Sequence, residues 1–67
     1  MKISVNEENY EILDDSNLTS LLNLLGMKDL KGWALALNEK VIAKSDFDQT
    51  KLIEGDRVIL IQATQGG

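Results

Sequence analysis

No cysteine and no histidine occur among the 67 residues. That removes the thiolate nucleophile, the disulfide framework, the commonest general base and the commonest metal ligand together. What remains are carboxylates and cationic side chains. Asp14-Asp15 stand just before an apolar stripe and read as helix-start residues, and Asp46 and Asp48 read as loop or cap residues. No paired carboxylates share a plausible pocket. Lys40, Lys44, Lys51 and Arg57 read as solvated, and none sits in a phosphate-binding loop. The chain is therefore not expected to be an enzyme, and no metal site is expected. Another kind of feature closes the sequence: Gln62-Ala63-Thr64-Gln65-Gly66-Gly67 follows directly on an apolar run. Two adjacent glycines are a weak signal alone. Glycine has no Cβ, however, so such a segment can pass through a channel too narrow for other residues.

The elements that would carry this end must come from one small domain, residues 1–67. A chain of this size buries only about 60% of the surface that it exposes when unfolded, so its core must be well filled. The apolar fraction of 43% is that of a folding sequence. The net charge of −4 argues against nucleic acid, which calls for clustered Lys and Arg. It suits a protein partner with a basic surface, or solubility alone. The apolar runs are far shorter than a membrane span. Met1-Lys2-Ile3-Ser4-Val5 reads as a strand rather than a signal peptide, so a cytoplasmic location is expected.

Met1, Ile3 and Val5 alternate with polar residues, which predicts a half-buried strand. Asn6 to Asn9 should turn the chain, and Tyr10, Ile12 and Leu13 should return it as a hairpin. Candidate N-caps at 14–17 precede Leu18, Leu21, Leu22 and Leu25 at helical spacing, with Leu24 widening the stripe. Gly26 is placed to stop a helix of about ten residues. Trp33 to Leu37 and Val41 to Ala43 read as two strands around Asn38-Glu39-Lys40. Phe47 and Leu52 should plug the core from a short turn, and Glu54-Gly55-Asp56 should form a tight turn. Val58-Ile59-Leu60-Ile61 is the strongest apolar run and should be an interior strand. The expected fold is α+β, in the order β-β-α-β-β-β, with one main helix on one face of a mixed sheet.

This order, with a Gly-Gly end, resembles the ubiquitin-like β-grasp fold. Within that fold the chain is similar to the ThiS-like sulfur carriers of thiamine biosynthesis. The likeness lies in Met1 to Val5, in Ala34-Leu35-Ala36-Leu37-Asn38 followed by Val41-Ile42, in Phe47, in Glu54-Gly55-Asp56-Arg57, and in Gln62 to Gly67. It covers essentially the whole chain. Trp33 departs from the family pattern, where a smaller aliphatic residue is expected; it would cover the sheet edge or mark a particular contact.

The resemblance implies a chemistry for the last residue. A carboxylate is anionic and a poor electrophile until activated. In the family, a ThiF-type adenylating enzyme uses ATP to convert the terminal carboxylate, here Gly67, to an acyl adenylate. A sulfur donor protein then supplies the sulfur of a thiocarboxylate, which is delivered to thiazole synthase. The carrier binds no cofactor and is expected to be a monomer when alone. Thr64, Gln65 and Gly66 would be recognised as a flexible tail over residues 64–67. At ~3.3–3.6 Å per extended residue, that tail would reach roughly a dozen Å. By analogy with ubiquitin, Val58 and Leu60 point inward, which leaves Ile59 and Ile61 on the outer sheet face as partner-docking residues unless the segment around Phe47 covers them. Three other readings keep the same fold: the small subunit of molybdopterin synthase, a protein modifier joined to lysines through Gly67, and a non-covalent interaction module.

Overall fold

The computed structural model describes residues 1–62. Its elements are β1 (Lys2–Val5), β2 (Glu8–Glu11), α1 (Leu18–Leu24), β3 (Trp33–Leu37), β4 (Lys40–Ile42), a 3₁₀ helix (Lys44–Gln49) and β5 (Arg57–Gln62). The strands form one sheet in the order β2-β1-β5-β3-β4. β5 lies in the middle, parallel to β1 and antiparallel to β3, so the sheet is mixed. The β-grasp α+β architecture expected from the sequence is present.

Both hairpins turn on the same dipeptide. Asn6-Glu7 joins β1 to β2 and Asn38-Glu39 joins β3 to β4, all four residues having φ between 50° and 73°. Positive φ at both central positions defines a type I′ turn, whose twist matches that of the flanking strands. Asparagine tolerates the left-handed region better than most side chains. Turns this tight move two boundaries from where the hydrophobic pattern put them. β2 begins at Glu8, and β4 runs over Lys40–Ile42 rather than Val41 to Ala43.

α1 is capped at its start by Asn17, whose side chain accepts the Ser20 N–H at 2.8 Å. At its end Gly26 has φ +77°. The Gly26 N–H bonds to the Asn23 carbonyl, and the Met27 N–H to the Leu22 carbonyl. This pair of bonds is the Schellman stop, and glycine enters it without a Cβ penalty. The helix is seven residues long, shorter than the ten or so expected. Leu18, Leu21 and Leu22 are buried, but Leu24 is 63% exposed and does not widen the stripe. At about 100° per residue, Leu24 falls far round the helix from the mean direction of the other three.

The core lies between α1 and one face of the sheet. Ile3, Val5, Leu35 and Val58 meet the helical leucines there, with Ile12, Phe47 and Leu52 sealing the ends. Ile12 and Leu13, both expected in the second strand from their apolar character, lie outside β2, Ile12 buried and Leu13 exposed. Thr19 on α1 and its N-cap Asn17 hydrogen-bond to Asp48 in the 3₁₀ helix, which anchors the Phe47 plug to the helix start. Among the described residues, no helix is long and apolar enough to cross a membrane.

Candidate functional site

β5 is the last described element of the chain. The strand is approached from a turn built around Gly55 and Asp56. Gly55 has φ +87° and the Asp56 N–H bonds back to the Ile53 carbonyl at 3.1 Å, an arrangement that favours glycine at the third position. The Asp56 side chain is 5% exposed and both its oxygens are engaged. Oδ1 accepts from Asn38 Nδ2 at 2.9 Å and Oδ2 accepts the Ile53 N–H at 2.8 Å. A buried carboxylate is tolerable only when satisfied in this way.

Asn38 does more than turn the chain. Its N–H donates to the Arg57 carbonyl at 2.8 Å and its Oδ1 accepts the Arg57 N–H at 2.9 Å. Asn6 acts from the other side of the strand. Its N–H donates to the Val58 carbonyl at 2.9 Å and its Oδ1 accepts the Leu60 N–H at 2.8 Å. The asparagine of each hairpin therefore grips β5 with both backbone and side chain. Composition and periodicity mark these asparagines as turn residues only. Their long-range partners, and the part played by Asp56, were not visible in the sequence.

The two faces of β5 differ sharply. Val58 is fully buried and Leu60 is packed against the core. Ile59 is 36% exposed and Ile61 52% exposed, on the outer face. The segment carrying Phe47 does not cover them, because Phe47 is buried in the core on the opposite side. The register extends this outer face across the neighbouring strands. Ile59 stands opposite Ala36 and Ile61 opposite Ala34 on β3, and Ala36 stands opposite Val41 on β4. Val41 is itself 70% exposed. The alanines make a low floor between the branched side chains of β5 and β4. The other half of the same face is polar, with Ser4 opposite Asn9 and Lys2 opposite Glu11. Arg57 stands at the polar end of the β5 row and is paired with Glu39 at 3.4 Å, both exposed, so the pair adds little to stability. The sequence places Ile59 and Ile61 on the outer face but does not add Val41, Ala34 and Ala36 to it, because their common face follows from register and not from local pattern.

Trp33 lies at the far end of β3, opposite Gln62, and is partly buried. It lines a crevice with Leu22, Leu30, Phe47 and Leu60 on the helix side. The indole thus borders this crevice at the level where β5 ends. Thr64, Gln65, Gly66 and Gly67 lie outside the described residues. Among the described residues, no cluster of three or more His, Cys, Asp or Glu could hold a metal ion.

Comparison with known proteins adds to this geometry. The model of the ThiS family matches residues 3–67. A crystal structure of the thiamine biosynthesis protein ThiS from Geobacter metallireducens superposes with a TM-score of 0.87, at 28% identity, over 100% of both chains. A solution NMR structure of a thiamine biosynthesis protein from the same organism gives a TM-score of 0.78 at 28% identity, covering 100% of this chain and 88% of that one. No curated protein gave a significant match.

Proposed function

The chain belongs to the ThiS family, and on that premise we propose that it is a sulfur carrier of thiamine biosynthesis, charged at the carboxylate of Gly67. The observation that carries this reading is the full-length likeness to ThiS, the family match running through Gly66-Gly67. In the proposed cycle a Gly67 carboxylate oxygen attacks the α-phosphorus of ATP on a ThiF-type adenylating enzyme. The bond to the β-phosphate breaks and pyrophosphate leaves. A persulfide sulfur from a donor protein then attacks the acyl carbon, and AMP leaves with the electron pair of the C–O bond. Reduction of the resulting S–S bond by a thiol frees the thiocarboxylate. Thiazole synthase receives this sulfur. The chain is the co-substrate in every step, and its partners supply the catalysis.

The division of labour has a physical basis. Ordering a short chain end in a partner's active site costs on the order of 1–2 kcal/mol per residue. A docking surface on the folded body can offset that. The apolar half of the outer sheet face, with Ile59 and Ile61 at its centre, is proposed as that surface. Partner enzymes would meet the body there and take Thr64, Gln65, Gly66 and Gly67 into their active sites. A cytoplasmic setting, where ATP is at hand, fits the cycle.

Mass spectrometry tests the reading directly. Incubation with the adenylating enzyme, ATP and a sulfur donor should add the mass of one sulfur-for-oxygen exchange, about 16 Da, and collisional fragmentation should place it on Gly67. Replacing Gly67 by a bulky residue such as Trp should abolish the gain while circular dichroism and thermal melting stay unchanged. An undiminished gain in the Gly67→Trp protein would overturn the proposal.

A further inference from the structure

The pairing of β1 with β5 is short. Ser4 is in register with Arg57 and Val5 with Val58, and there β1 ends. The Ser4 N–H bonds to the Asp56 carbonyl, and the Asn6 N–H to the Val58 carbonyl. In a regular parallel ladder the next bond would run from the Leu60 N–H to the main-chain carbonyl of residue 6. That carbonyl is unavailable, because the chain at Asn6 has φ 50° and is already turning into β2. The Asn6 side chain takes its place, with Oδ1 accepting the Leu60 N–H at 2.8 Å. One amide thus lengthens the ladder by a step, on the side of β5 that faces β1 and just before the strand leaves for Gly67.

We propose that Asn6 is a positioning residue for charging of the C-terminus: by holding the Leu60 N–H through its side-chain carbonyl, it keeps the last residues of β5 in the plane of the sheet and so aims the chain end relative to the docking face. This deepens the reading of Gly67 as the activated carboxylate and rests on it. β3 alone would restrain the end of β5 from one side, through Ala34 opposite Ile61 and Trp33 opposite Gln62. A strand held on one side can swing about that edge. Ile59 and Ile61 would then no longer stand in fixed relation to the terminus, and a partner that grips both would have to reorder them.

Asn38 provides the control. It has the same φ and the same next residue, and grips β5 equally, but at Arg57, the strand's other end. Loss of either side chain should destabilise the domain. Only loss of Asn6 should impair charging. Glycine is the informative replacement at both positions, because it keeps the positive φ and removes only the side chain. Asn6→Asp is the rescue, since aspartate retains an acceptor oxygen at the same place.

The experiment is ATP–pyrophosphate exchange by the adenylating enzyme, with the carrier varied, at a temperature below the melting transition of every variant. Asn6→Gly should raise KM for the carrier about tenfold or more with kcat little changed, since productive docking is lost and not the chemistry. Asn6→Asp should restore KM to within about twofold of the parent. Asn38→Gly should melt at a lower temperature than the parent and yet keep the parent KM. Amide hydrogen exchange should quicken at Leu60 in Asn6→Gly and not in Asn38→Gly. An unchanged KM in Asn6→Gly overturns the proposal. So does an equal rise in Asn38→Gly, which would mark general destabilisation, or an Asn6→Gly protein with no folded state at any temperature. A parent protein that supports no exchange at all would instead overturn the reading of Gly67.

Discussion

The two sides of β5 carry almost the same kind of side chain and meet opposite fates. Val58 and Leu60 face α1 and the core, whereas Ile59 and Ile61 face outward beside Ala34, Ala36 and Val41. Hydrophobicity does not distinguish the sides; the neighbouring layer does. A helix covers one face, while the described chain places no element over the other. The inner face therefore contributes to stability, and the outer face is available for binding. Small branched side chains suit both tasks, since they fit a pleated surface whichever side is covered.

The contrast can be broken most forcefully from inside. Val58→Asp puts an uncompensated charge where the parent side chain is fully buried, with an expected cost of about 3–5 kcal/mol or more. A small domain has stability on the order of 5 kcal/mol, so this variant should be largely unfolded by circular dichroism at 25 °C. A cooperative melt close to the parent's would show that the inner face is not what holds the fold.

The next effect concerns how β5 is seated. Asp56→Ala leaves the Asn38 amide and the Ile53 N–H without their acceptor, in a place with little access to water. An unsatisfied buried donor costs about 1–3 kcal/mol. Urea unfolding should show a loss within that range, with the m-value unchanged. A loss below about 0.5 kcal/mol would mean that water replaces the carboxylate freely.

The smallest effect on stability is expected from the outer face, and it separates the two sides best. Ile59→Ala and Ile61→Ala should each shift unfolding by no more than about 0.5 kcal/mol. The double variant should nonetheless bind the adenylating enzyme roughly tenfold more weakly or worse, because truncating exposed apolar anchors weakens an interface. Titration calorimetry and urea unfolding of the same samples would read both quantities. Unchanged affinity would remove this face as the docking surface.

Much of this was legible from local pattern. Period-2 alternation located β1, continuous apolar runs located β3 and β5, leucine spacing located α1, and Gly26 and Gly55 marked the positions that need positive φ. The misreadings share a cause. Leu13 and Leu24 are apolar, and apolar character predicts burial, yet both are exposed. A small domain has too little polar surface to cover itself, so an apolar residue near an element's end can remain outside. Trp33 was conspicuous in the sequence, but the crevice that it lines is completed by Leu22, Phe47 and Leu60, which are distant in the chain.

Residue types and their order by themselves determined the fold class, the kinds of chemistry open to this chain, and the alternation that puts Val58 and Ile59 on opposite faces of β5. These are local properties, since side-chain period and turn chemistry are written within a few residues. Tertiary structure alone decided that Asn6 and Asn38 would hold one strand from both flanks, that Asp56 would be buried against the Asn38 amide, and that Val41 would join Ile59 and Ile61 on one surface. Each of those depends on sheet order and register. The pairing of β1 with β5 joins residues more than fifty positions apart, a separation that no local pattern encodes.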